Sequence, residues 1–264
     1  MTSRRSSAND LFNLIHEDAD LLVINKPAGL VCHPTKQGEL SSLIGRVRLY
    51  LGGAARPCLI NRLDRETSGV ILVARNQAVA GELGKIWESR AVEKTYLAIA
   101  HGHVREECGL IDEPLGKDEQ SCVAIKDRIR PDGAAAQTEF RVERRFRRAE
   151  GDFSLLTIAP RTGRKHQIRI HLAHLGHPIV GDKLYGGDEQ LYLAFVRSRL
   201  TPDQRRRLLL PNHALHAAQV RFVWRGLPVV FSCEPEECFR QFQQPESMLC
   251  PSAWTAVETE GPHL

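Results

Sequence analysis

No stretch of the 264 residues approaches the ~18 consecutive apolar positions that a helix needs to cross a bilayer. The opening MTSRRSSAND carries two arginines with no apolar run behind them, so no secretory signal is expected. A cytoplasmic location follows from these two absences. The seven cysteines (Cys32, Cys58, Cys108, Cys122, Cys233, Cys238 and Cys250) are scattered, odd in number and without a C-x-x-C pair. That argues against a disulfide framework and against a zinc ribbon, and predicts reduced thiols. The chain has no G-x-x-x-x-G-K-S/T, no G-x-G-x-x-G at a strand end and no G-x-S-x-G, so nucleotide cofactors and a hydrolase elbow lack support. His166, His171, His174 and His177 cluster, but the H-E-x-x-H spacing is missing, and no metal is expected. There is no internal repeat and no long linker.

What is present is ordinary in bulk: 42% apolar and 26% charged residues, as in a globular protein. The net charge of +4 says little, but its distribution says more. Between Arg141 and Arg169 nine residues are Lys or Arg against three Asp or Glu. Such an excess suits a polyanion such as RNA, the plainer alternative being a solvated charged face.

The pattern predicts alternating strands and helices. LLVINKPAGLV is β-rich and broken by Pro27 and Gly29, and SSLIGRVRLYLG reads as a helix stopped by Gly52-Gly53. VILVA (70–74) is a short buried strand, and QAVAGELGKIWESR an amphipathic helix. TYLAIAHGHV, TEFRVERRF and FSLLTIAP read as strands. QIRIHLAHLG is ambiguous, and the spacing of Ile168, His171, Leu172 and Leu175 assigns it to helix. Leu193 to Leu210 is a basic helical stretch, followed by two strands that turn at Arg225-Gly226. The whole is a mixed α+β domain over residues 11–240, with a flexible N-terminus (1–10) and a loose C-terminal tail (241–264).

Three windows carry candidate chemistry. In Asn61-Arg62-Leu63-Asp64-Arg65-Glu66-Thr67-Ser68-Gly69, two arginines bracket Asp64. Nearby cations keep a carboxylate ionised, which suits a nucleophile or base; a surface ion pair is the bland alternative. In Pro160 to Arg169 a glycine turn precedes a helix start amid several cations, among them Arg164 and Lys165. That window suits RNA phosphates, a partner for Asp64, or both, and burial is expected for Gln167 or Arg169. In Glu93-Lys94-Thr95-Tyr96, the tyrosine opens an apolar strand, where it either stacks on a base or fills the core.

Taken together the windows resemble the RluA family of RNA pseudouridine synthases. The resemblance rests on VINKPAGLVCHP (23–34), RLDRETSGVILVA (62–74), EKTYLA (93–98), TGRKHQIRIHLAHLGHPIVGDKLYG (162–186) and ALHAAQVRF (214–222), in that order. It implies a pseudouridine synthase-like α+β fold: a mixed, mainly antiparallel sheet with flanking helices and a central cleft. It implies Asp64 as the catalytic aspartate, Tyr96 as the active-site tyrosine and Arg169 as the arginine pairing with the aspartate. Ile168 packs beside it; Arg62 enters the RNA when the target base is extruded. Arg164, Lys165, His166 and Ile168 complete the expected RNA contacts, and Lys26 and Pro27 look structural. The family usually has His where this chain has Asn61, which puts local packing or RNA contact in question but not the reaction. Many relatives carry an N-terminal RNA-binding domain of the S4 type, and with about ten residues before the region of resemblance none is expected here. The implied activity is an isomerase acting on uridines in rRNA or tRNA stem-loops, as a monomer and without cofactor or metal. A non-catalytic RNA-binding module is the main alternative. A glycoside hydrolase using Asp64 and Glu66 is a weaker one, since the basic surroundings suit RNA better than neutral sugar.

Overall fold

A computed structural model describes residues 11–34, 38–52, 55–244 and 254. The expected flexible N-terminus and the tail beyond residue 244, Trp254 apart, lie outside them. The chain divides into two compact units. One comprises residues up to Lys94 together with His216–Pro235; the other comprises Thr95–Leu215 together with residues from Glu236 onward. Strands and helices are numbered along the whole chain.

The first unit is built on β1 (Asn13–Glu17), β2 (Leu21–Lys26), β3 (Cys58–Leu59), β4 (Ser68–Ala74), β11 (Leu215–Trp224) and β12 (Leu227–Ser232). β1, β2 and β4 pair antiparallel, while β4 and β11 run parallel, with His216 opposite Ser68 and Ala217 opposite Gly69. Every residue of β4 is buried, which is why its sequence is a continuous apolar run rather than an alternation. Helix α1 (Leu43–Leu51) is capped by the Ser42 hydroxyl, which accepts from Gly45 N; α2 (Gln77–Glu88) is capped likewise by Asn76. Val79 and Leu83 of α2 pack with Leu21, Val23, Val70, Leu72 and Phe222 to form this unit's core. β11 and β12 form a hairpin whose turn, Arg225-Gly226, takes positive φ at both positions, as right-twisted strands favour.

The second unit holds an antiparallel meander in the order β5 (Glu93–His101), β10 (Gly151–Pro160), β9 (Gln137–Arg148), β6 (Cys108–Asp112), beside a small ladder of β7 (Leu115–Lys117) and β8 (Asp127–Ile129). A bulge between Leu155 and Leu156 leaves Glu143 without a partner across the ladder. Helix α3 (Gln167–His174) is buried over its first six residues and packs Ile168 and Leu172 into this unit's core. The basic stretch expected as one helix is two, α4 (Gln190–Val196) and α5 (Pro202–Leu208). Ser198 at φ 54 and Pro202 at the first turn of α5 end one helix and start the other. Helix α6 (Glu237–Phe242) runs past the expected tail boundary at 241. Its Phe242 is buried against Phe146 and Phe153, so the packed unit reaches further than the sequence pattern suggests.

Candidate active site

In the first unit, Asp64 sits half-buried in the loop before β4, at a turn closed by Thr67 N donating to Asp64 O. The next residue is fastened from three sides. Gly29 N and Lys26 Nζ both donate to Arg65 O, at 2.8 and 3.0 Å, and the Arg65 side chain donates to Gly29 O at 2.9 Å. Lys26 is fully buried, and its Nζ also donates to Pro27 O and Leu30 O, so one side chain bolts the early Lys-Pro-Ala-Gly turn to the Asp64 loop. On the other side, Cys32 Sγ donates to Leu63 O and accepts from Leu63 N. Burial pushes this thiol's pKa up, the charges of Lys26 and Arg62 pull it down, and that of Asp64 raises it, so all three charges lie within electrostatic reach of one sulfur.

The far end of the loop is clamped too. Ser68 Oγ lies 2.9 Å from Nδ1 of the buried His216, whose Nε2 is 3.0 Å from Cys233 O. A carbonyl only accepts, so Nε2 carries the proton and Nδ1 accepts from the Ser68 hydroxyl. Asn61, where the family usually has His, donates to Val70 O at 3.0 Å and accepts from Leu72 N at 2.8 Å. Its amide imitates a strand residue on β4, so the departure is a packing device. Arg62 is exposed.

In the second unit, Arg169 is buried in a two-pronged ion pair with Asp182: Nε to Oδ2 at 2.7 Å and Nη2 to Oδ1 at 2.9 Å. Burial alone would raise the Asp182 pKa, but the Arg169 charge and hydrogen bonds, with help from His213 and the amide of Tyr185, hold it far below the usual carboxylate range. The Arg169 guanidinium also lies over the Tyr185 ring at 5.0 Å. Tyr185 OH accepts from Asp127 N and bonds His166 Nδ1 at 2.9 Å. Sequence reasoning missed Asp182 and Tyr185, although both stand in the GDKLYG run; a buried arginine demands a carboxylate, and that demand was the available signal.

Both Gln167 and Arg169 are buried, where burial was expected of one. Gln167 accepts from Thr162 Oγ1 and Arg164 N and donates to Gln137 O and Thr138 Oγ1, tying the basic loop to the start of β9. Ile168 is 6% exposed and packs within the apolar core. Lys165 pairs with Asp127 at 2.9 Å, whereas Arg164 is exposed and donates to Ala135 O. Tyr96 is half-buried on β5 opposite Ile158 and packs against the same core. Among the described residues no set of three or more His, Cys, Asp or Glu is placed to hold a metal. His171 is bonded to Thr138 and Glu113 O, and His177 to His101 O. No described helix is long and apolar enough to cross a membrane.

The model of the RNA pseudouridylate synthase family matches residues 20–174, more than half of the chain and including Asp64, Tyr96 and Arg169. The chain belongs to that family. It is 37% identical over 182 residues to the uncharacterized RNA pseudouridine synthase YhcT of Bacillus subtilis (68% of this chain, 59% of the relative). It is 35% identical over 219 residues to the ribosomal large subunit pseudouridine synthase D of Haemophilus ducreyi (79% of this chain, 62% of the relative). In both cases the match spans about three fifths of the relative's own length. The solved structure of human RNA pseudouridylate synthase domain containing 1 superposes with a TM-score of 0.67 at 27% identity, covering 88% of this chain and 86% of the human one.

Proposed function

We propose that the chain is an RNA pseudouridine synthase, an isomerase that converts uridines to pseudouridine in structured RNA. The observation that carries this reading is Asp64, set between Arg62 and Arg65 in a loop fastened at Leu63, Arg65 and Ser68, within the family match. The reaction breaks the C1′–N1 bond, turns the uracil and joins C1′ to C5; the C5 proton is lost and N1 gains one. An ionised Asp64 starts it by attack on C1′ or C6, or as a base at the ribose. Arg169 is assigned to the catalytic set through its charge, and Tyr96 as the ring that stacks on the extruded uracil and assists removal of the C5 proton. Extrusion costs a few kcal/mol, least in a loop, and contacts from Arg62 and Arg164 to the backbone offset it. We assign a stem-loop of rRNA or tRNA as substrate, a cytoplasmic location and a monomeric state. The name of the Haemophilus relative favours ribosomal RNA as the first substrate to test.

Total rRNA and tRNA from a strain lacking the protein, incubated with it and mapped by chemical adduct sequencing, test the proposal. One or a few new pseudouridines are expected with the wild type and none with Asp64→Asn, which should still fold and bind RNA. Turnover by that variant removes Asp64 from its role. No new site with the wild type favours the non-catalytic binding module.

A further inference from the structure

Three cationic or hydrogen-bonding side chains gather at the Cys32 junction of the Asp64 loop. The loop and α1 meet at Cys32. Its backbone carbonyl accepts from Ile44 N, and its thiol holds Leu63 by both N and O. Residues next to these anchors are therefore brought together: His33 follows Cys32, Arg62 precedes Leu63, and Arg48 lies one helical turn beyond Ile44 on the same side of α1. Leu43 N donating to Val31 O and the Val31–Ser42 bridge fix the same junction. His33, Arg48 and Arg62 are all exposed. Neither arginine has a carboxylate or a hydrogen-bond partner among the described residues. Both act on His33, whose protonation is disfavoured by burial first and then by the charges of Arg62 and Arg48.

Gathering like charges costs free energy unless an anion is bound between them. By contrast, most cations in the basic window are already neutralised: Arg141 by Glu143, Arg145 by Glu107, Arg147 by Asp152, Arg148 by Glu150 and Arg161 by Glu139. We propose that His33 and Arg48, together with Arg62, form a phosphate-binding set that grips the RNA backbone of nucleotides flanking the target uridine. This rests on the reading of the chain as an RNA-modifying enzyme. The arginines supply charge, and His33 donates a ring N–H to a phosphate oxygen. The grip works beside the nucleophile, where it holds the strand while the base turns out.

The test is the salt dependence of binding to a fluorescein-labelled RNA stem-loop. Arg48→Gln should flatten the slope of log affinity against log salt by about 0.7 to 0.9, the share of one lost phosphate contact, and Arg48→Lys should restore it. His33 ring resonances in the wild-type protein should shift as the stem-loop saturates it. An unchanged slope in Arg48→Gln, or unmoved His33 resonances at saturation, overturns the proposal. The NMR arm needs no variant to fold. A flattened slope with no pseudouridine formed by the wild type keeps this site and removes the isomerase reading. Pseudouridine formed with the slope unchanged does the reverse.

Discussion

Arg169 and Asp182 show how a single buried charge dictates its neighbour. With Arg169 7% exposed, loss of the carboxylate leaves a cation in a poorly solvated site. Asp182→Asn should therefore cost about 3 to 5 kcal/mol in urea unfolding, because breaking a buried pair costs far more than the pair contributes against an apolar replacement. The pH dependence has a definite sign. The folded pKa of Asp182 lies below its ordinary 3.8, so its contribution is complete above that value and fades as pH falls below it. The wild type should lose stability in that acid range more steeply than the Asn variant; parallel profiles would contradict the assignment. Asn61 works more locally. Asn61→Ala strands Leu72 N and Val70 O, and a loss of about 1 to 3 kcal/mol is expected in the same measurement.

Two glycines separate backbone necessity from mere tolerance at the scale of an element. Gly69 opens β4 at φ +120, and a Cβ there would lie 2.3 Å from Ala217 O, inside the parallel pairing with β11. Gly69→Ala should cost on the order of 3 kcal/mol, through backbone strain and a clash that the clamped strand has no freedom to relieve. Gly84, within α2, has open space around its Cβ position and no positive φ. Gly84→Ala should stabilise by about 0.5 to 1 kcal/mol, since alanine restricts the unfolded chain and suits a helix. Thermal melts of the two variants should move in opposite directions; a shift of the same sign would show that the β4–β11 junction yields. The sequence reading of elements fared best where one face is buried, as in α2. It was least secure in QIRIHLAHLG, because six successive residues of α3 are buried and the periodic signal fades.

At the scale of the molecule, burial lowers the pKa of His101, His171 and His216. The unfolded chain then binds more protons than the folded one as pH falls below about 6.5. Stability should decline from that pH downward, measured as the urea midpoint; a flat or rising midpoint toward pH 5 would refute this. The division into two units was invisible in the sequence for a physical reason. Two of its three boundaries fall inside β5, after Lys94, and inside β11, after Leu215, where pairing demands apolar residues and no linker composition appears; the third, after Pro235, lies in a short loop. The basic window misled in part for a related reason. Acids distant in sequence, such as Glu107 and Asp127, neutralise Arg145 and Lys165 only once the chain is folded.

Local chemistry thus determined a good deal: the strands and helices with clear periodicity, the family motifs, and Asp64, Tyr96 and Arg169 as residues to examine. These are legible because periodicity and short motifs are properties of neighbouring residues. Tertiary structure decided that Lys26 directs its ammonium to three carbonyls, that Asp182 receives Arg169, that Ser68 leans on His216 and that Arg48 lies within electrostatic reach of His33. Most of these partners lie far apart in the chain, and which polar groups meet, or meet none, depends on where folding removes water.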